Sequence, residues 1–267
     1  MATVIHSPHF DDAVLSCWQV LEAGGDVTVV NVFTASPPAG RPIPWWDRLT
    51  GARDSIARMA ERRAEDRAAL ALAGCEALSL GLLDDQYRAA DVEAPAVVER
   101  LRGALAPASS LYAPAAMDEH RDHVLVREAA LSLAGEGWPL VLYADLPHAI
   151  TAGWPSWVTG ERKRPEPGPD AAWDRALAAA GLAVERLRAA VRPLEPAVRA
   201  RKLAAVDCYR TQREGLDRFS FAPLADPRAL AWEVYWPVPP SALRGLHQPG
   251  RQDPVADALG QASHHGG

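Results

Sequence analysis

The chain has 267 residues, 48% of them apolar, enough for one sizeable core or a core with a substantial appendage, which excludes a disordered polymer. Its 28 basic and 34 acidic residues are interspersed and give a net charge of -6, so no basic stripe for nucleic acid is present. Cys17, Cys75 and Cys208 are far apart without a CxxC spacing, which speaks against a disulfide framework or a thiolate zinc site; with no leader-like opening and no apolar run near ~18 residues, the expectation is a cytoplasmic protein without a membrane span.

The apolar run 2–5 reads as a strand, and helical spacing over 11–23 follows it, ending in paired glycines. Residues 26–33 read as a second strand and the Ala/Arg/Glu stretch 53–74 as a second helix. The alternation continues with strands at 76–80, 110–114 and 140–144 and helices at 92–105 and about 121–134. This predicts an α/β fold: a Rossmann-like, mostly parallel sheet flanked by helices over 1–150. Between 152 and 170 the composition shifts to Trp, Pro, Gly and basic residues, a surface loop leading into a smaller C-terminal α+β part over 151–245. That part has predicted helices at 170–180 and 194–208 and a strand at 229–236, and it is expected to pack on the core and the active site. Residues 246–267, rich in Gly, Gln, His and Pro, read as a disordered tail.

Two polar clusters follow predicted strands. "HSPHFDDAVLS" (6–16) holds His9, Asp11 and Asp12 in a strand-to-helix turn, and "MDEHRDHVLV" (117–126) holds His120, Asp122 and His123 at a helix start. His120 and His123 are three apart and share a helix face, as do His9 and Asp12. Both turns fall on the carboxyl edge of one parallel sheet, where ligands bind. Imidazole and carboxylate donors suit zinc, and three protein ligands with one open position mark a catalytic site. A lone His-x-Asp-Asp is more often a helix cap with a surface histidine. Two clusters on one sheet edge shift the balance to metal. An HD-type phosphohydrolase would instead need a His-Asp dyad on a mostly helical scaffold. His6 is read as a satisfied buried histidine.

His9-Phe10-Asp11-Asp12 resembles the HPDD element of the PIG-L/LmbE family of zinc-dependent N-deacetylases, and His120-Arg121-Asp122-His123 resembles its later HPDH element. The stretches "RRAEDRAALALAG" (62–74), "GLLDDQYR" (81–88), "LYADLPHAI" (142–150) and "YRTQ" (209–212) are similar to a bacterial subgroup, so the resemblance covers about residues 1 to 235. Phe10 and Arg121 replace the usual prolines, and Ala13 stands where an acidic residue often follows. The resemblance implies His9, Asp12 and His123 as ligands of Zn2+, with Fe2+ as another divalent candidate, and Asp11 as general base. It implies His120 as the protonated group that stabilises the oxyanion and protonates the leaving amine, with Asp122 orienting it.

The implied activity is removal of an N-acetyl or other N-acyl group from an amino sugar or related glycoconjugate, in natural-product or thiol biosynthesis. Amide cleavage in a thiol conjugate or peptide-like metabolite, and a lapsed metal-binding partner subunit, are the alternatives. The expected partner is a small-molecule substrate, with a homo-oligomer left open. Trp45 and Trp46, in a Pro-rich loop near the same edge, are candidates to stack on a sugar ring or acyl group. Arg88 is favoured over Arg53 and Arg62 as a polar substrate contact, and Asp145 and His148 occupy another strand-end loop that lines the expected pocket. Tyr209 and Gln212 lie on a C-terminal helix that packs over the site or merely supports it.

Overall fold

The computed structural model describes residues 2–90, 92–105, 110–163, 167–180 and 187–246. The residues called a disordered tail lie outside these, apart from Leu246. Seven strands form one sheet: β1 (Thr3–Ser7), β2 (Val27–Asn31), β3 (Ala77–Ser79), β4 (Ser110–Pro114), β5 (Leu140–Tyr143), β6 (Ala190–Pro193) and β7 (Trp232–Val238). Their order is β3-β2-β1-β4-β5-β7-β6. The first five are mutually parallel, and β7 runs antiparallel to both β5 and β6. The strand order reverses between β1 and β4, which makes the carboxyl edge of that pair the crevice of the fold.

The strands carry apolar runs because helices cover both faces, as a parallel sheet requires. Ile5, Val29, Val30, Leu111 and Leu142 are fully buried, together with Trp18, Trp173 and Trp236. The longest helix, α4 (Ser55–Ala71), starts where Asp54 accepts the amide protons of Ile56 and Ala57. The helices α5 (Ala94–Gly103) and α6 (Arg121–Gly135) follow the expected positions closely.

Three expectations need correction. The single helix over 11–23 is two short ones, α1 (Asp12–Ser16) and α2 (Trp18–Glu22), broken at Cys17. The break is held from outside, because the Glu233 carboxylate on β7 accepts the amide protons of Trp18 and Gln19 at 2.8 and 3.0 Å. Second, β6 was not expected; its Arg192 and Pro193 mask an edge strand that needs hydrogen bonds on one side only. Third, His6 is buried but not satisfied: neither ring nitrogen has a partner among the described residues, and burial lowers it to about 4. The C-terminal part and the core share one sheet through the β5–β7 pairing.

Candidate metal centre

The turn from β1 into α1 is fixed by its own side chains. Ser7 Oγ donates to the His9 carbonyl at 2.5 Å and accepts the Ala13 amide at 3.0 Å, while the His9 amide donates to Asp12 Oδ2 at 2.7 Å. These bonds fold the chain so that His9 and Asp12 face one point. The turn from β4 into α6 is strained, with Ala116 and Glu119 both left-handed at φ 54° and 55°. It is held because the Met117 amide donates to Asp145 Oδ2 and the His120 amide to Asp118 Oδ1.

Three donors converge across the β1–β4 crevice. His9 Nδ1 lies 3.4 Å from His123 Nε2 and 3.5 Å from Asp12 Oδ2, and His123 Nε2 lies 3.5 Å from Asp12 Oδ1. A tetrahedral zinc ion with bonds of about 2.0–2.1 Å needs donors about 3.3–3.4 Å apart. Asp12 presents Oδ2 to His9 and Oδ1 to His123, and one ligand atom from each of the three residues lies within 4.8 Å of the others, so the residues present fit a divalent ion.

The far nitrogen of each imidazole is also held. His9 Nε2 is 3.1 Å from Asp122 Oδ2, and His123 Nδ1 is 3.0 Å from Asp145 Oδ1. Both carboxylates are fully enclosed. A carboxylate on the far N–H fixes the tautomer that turns the other nitrogen's lone pair towards a metal.

The electrostatics point the same way. Burial opposes charge on His9, yet the Asp12 and Asp122 carboxylates hold its pKa well above the usual range. His123 is raised likewise, against burial, by Asp12 and Asp118. Burial opposes ionisation of Asp12, but His123 and His9 hold it well below the carboxylate range. With Asp84 and Asp118 also in the cleft wall, buried carboxylates crowd the site and a dication offsets them.

Asp11 is different. It is the N-cap residue of α1 but its side chain caps nothing, and it lines the cleft while only 5% exposed. Burial, then the neighbouring Asp12 charge, raises it to about 6. A carboxylate uncommitted beside a metal site is available as a base.

His120 and Asp122 are not the pair that was expected. Asp122 accepts from Arg88 Nη1 at 2.6 Å and from the Asp85 amide at 3.0 Å, besides meeting His9. His120 instead caps α6, its Nδ1 accepting the Asp122 amide proton at 3.2 Å. Burial, with His9 and His123 beside it, lowers His120 to about 3. With Nδ1 an acceptor, the proton of the neutral ring sits on Nε2.

The cleft around these groups has a volume of about 570 Å³. Trp45, Trp46 and His148 line it, as expected, and so does Gln212. Arg88 and Asp145 do not, and their reading as substrate contacts is corrected. Arg88 is consumed by Asp122 and Asp85 and lies 5.1 Å from the Phe33 ring centre, while Asp145 backs His123. Arg62 is the arginine of the cleft wall, held by Asp47 at 2.9 Å, with Tyr87 on the other oxygen of Asp47 at 2.7 Å. Tyr209 is buried, its hydroxyl between the Phe10 carbonyl and Asp66. Asp84, Asp85, Asp118 and Phe219 also line the wall and are not among the sequence candidates. The first three sit inside the polar stretches 81–88 and 117–126, whereas Phe219 carries no local signal.

A doubly wound sheet with a His-Asp-His cluster at its switch point that could hold a metal ion defines the class, an α/β protein with a candidate divalent-metal centre. Residues 4–134, which include every donor above, match the family described as PIG-L, GlcNAc-PI de-N-acetylase. The chain is 37% identical over 166 residues to 2'-N-acetylparomamine deacetylase of Streptomyces fradiae, a match covering 55% of this chain and 57% of that enzyme. It is similar to the zinc inhibited form of teicoplanin deacetylase at 26% identity and TM-score 0.66, over 89% of this chain and 97% of that one. It is also similar to the pseudoaglycone deacetylase of the antimicrobial reagent A40926, at 28% identity and TM-score 0.63 over 88% and 96% of the two chains. Among the described residues no helix is long and apolar enough to cross a membrane.

Proposed function

We propose that the protein is a zinc-dependent N-deacetylase that removes the acetyl group from an N-acetylated amino sugar of a natural-product pathway. The observation that carries the reading is the donor triangle of His9, Asp12 and His123 with the uncommitted Asp11 beside it. The relatives' names support the substrate class: one is a 2'-N-acetylparomamine deacetylase and others are deacetylases of teicoplanin and of the A40926 pseudoaglycone.

His9 Nδ1, Asp12 and His123 Nε2 would hold the ion, with Asp122 and Asp145 fixing the two rings. When bound, the ion supplies a Lewis acid for the amide carbonyl and makes water a usable nucleophile near neutral pH. Asp11 takes the proton from the attacking water. His120, neutral and protonated on Nε2, donates a hydrogen bond to the oxyanion that develops on the substrate. Asp11 then returns its proton to the departing amine, which leaves poorly as an anion.

The test is metal analysis of the purified protein together with a mass-spectrometric screen of N-acetylated amino sugars. Acetyl loss that chelation abolishes and zinc restores is the expected result. A zinc-loaded protein that deacetylates none of them would overturn the reading.

A further inference from the structure

The Asp11 carboxylate caps no helix, so its direction is set by the two peptide groups that flank the residue. On one side the Asp11 carbonyl accepts the Leu15 amide proton at 3.0 Å and enters α1. On the other side the Phe10 carbonyl accepts from the Tyr209 hydroxyl at 3.1 Å, across 199 residues of sequence. Phenylalanine, unlike proline, does not set its own φ, so residue 10 is fixed from outside. Its ring packs with Met59, Tyr87 and Leu83, and its carbonyl is held by Tyr209.

Tyr209 is fully buried, and a second oxygen, Asp66 Oδ1, lies 3.0 Å from its hydroxyl. A tyrosine hydroxyl has one proton to donate. A carbonyl has none to give, so a hydroxyl that donates to Phe10 accepts from Asp66, and Asp66 brings the second proton. Asp66 Oδ2 is taken by the Asn31 amide at 2.7 Å, which leaves Oδ1 to carry that proton. Burial, which raises Asp66 to about 7, favours the neutral acid. The segment carrying Tyr209 is clamped to α4 as well. Thr211 donates to Glu65 through its amide at 2.9 Å and its hydroxyl at 2.7 Å, and Arg58 Nη1 donates to the Thr211 carbonyl at 2.9 Å.

We propose that Tyr209 is a positioning residue of the deacetylation: its hydroxyl, backed by Asp66, holds the Phe10–Asp11 peptide so that the Asp11 carboxylate stays aimed into the cleft. This rests on the deacetylase reading above. The neighbouring metal donors do not depend on the same bond, because Ser7 Oγ holds the His9 carbonyl and Asp12 Oδ2 the His9 amide. Aim of the base and affinity for the ion are therefore separable.

The experiment compares the zinc-loaded wild type with Tyr209→Phe, Asp11→Asn and the double variant, for acetate release from 2'-N-acetylparomamine and N-acetylglucosamine, on the acid side of the Asp66 value of about 7. Tyr209→Phe is expected to lower kcat about ten- to a hundredfold, as a displacement of up to about 1 Å does, with KM and zinc content unchanged. On the Asp11→Asn background the same substitution should cost nothing more, since no base is left to aim. An unchanged kcat, a loss of the same size on both backgrounds, or a loss of zinc overturns the proposal. If Tyr209→Phe does not fold, 4-fluorophenylalanine at position 209 fills the place of the hydroxyl without a donor. A second readout needs no turnover: magnetic relaxation of the Asp11 backbone amide in the metal-free protein. Its order parameter, about 0.85 for rigid backbone, should fall in the variant while those of His9 and Asp12 hold. An unchanged order parameter overturns the proposal. If neither substrate releases acetate, the deacetylase reading fails, and the order parameter alone decides whether Tyr209 holds Asp11.

Discussion

His9 and Asp122 lie 113 residues apart in sequence, yet His9 Nε2 is 3.1 Å from Asp122 Oδ2, and Arg88 holds the other oxygen of that carboxylate at 2.6 Å. This bond turns His9 Nδ1 towards Asp12 and His123. Partners behind a ligand typically contribute about 10–100-fold in metal affinity. Asp122→Asn, which leaves an oxygen for Arg88, should fold and bind zinc weaker by that factor in a competition titration against a chelator. Unchanged affinity would remove Asp122 from the metal centre.

Asp11→Asn separates base from ligand. The side chain caps no helix and is not one of the clustered metal donors, so the variant should keep its zinc. Loss of general-base assistance should lower kcat by about 10²–10⁴. Metal content and turnover measured on the same sample decide it, and full turnover would place the base elsewhere.

His120 gives a prediction about the shape of a pH profile. Its Nδ1 accepts a backbone proton and its pKa is lowered to about 3, so the ring stays neutral through the working range. His120→Ala should lower kcat by about 10²–10³, as loss of one oxyanion donor does. Both limbs of the profile should stay where they are. An alkaline limb that vanishes in the variant would show that the ring works as an imidazolium. The lost helix cap should also cost about 0.5–2 kcal/mol of stability.

Lys202 and Glu233 form a wholly enclosed ion pair at 2.6 Å. Glu233 is further held by the Trp18 and Gln19 amides and by the Tyr235 hydroxyl at 2.6 Å. Lys202→Met leaves that carboxylate buried without a countercharge, and removing one partner of such a pair costs about 3–5 kcal/mol. A denaturant titration should show a loss of that size. A change near zero would mean that the helix-end amides alone compensate the charge.

The donor set was legible because each half of it is contiguous: His9 to Asp12 follow one strand and His120 to His123 follow another, so a turn delivers each half whole. What was illegible depends on partners remote in sequence. Nothing near Arg88 says that Asp122, 34 residues on, will consume its charge, and nothing near Cys17 announces that Glu233 will break the helix there. Phe219 and Gly215 look like ordinary helix-end and loop residues until α3 (Trp45–Leu49) is packed against them. The β6 strand is four residues with Arg and Pro, too short and too polar for a periodicity argument.

Asp66 carries the last prediction, on stability against pH. Its side chain is almost fully buried, with Oδ2 accepting from Asn31 Nδ2 at 2.7 Å and Oδ1 3.0 Å from the Tyr209 hydroxyl. Burial raises it to about 7, outweighing the two hydrogen bonds, with Asp11 and Asp12 adding repulsion. The folded pKa therefore lies above the unfolded value, so the folded state binds the proton more tightly. Between the unfolded carboxylate range and about 7, each rise in pH ionises the unfolded chain first and lowers stability, by an amount on the order of a few kcal/mol. Asp66→Asn removes the titration. The Asn31 Oδ1 atom, which has no hydrogen-bond partner among the described residues, can accept from the new amide once Asn31 turns over. The variant should thus be more stable than the wild type at pH about 8 and flatter between pH about 5 and 8, measured as the urea midpoint. A wild-type midpoint that does not fall over that interval, or a variant that falls just as steeply, would show that Asp66 is ionised in the fold and held by Asn31 and Tyr209.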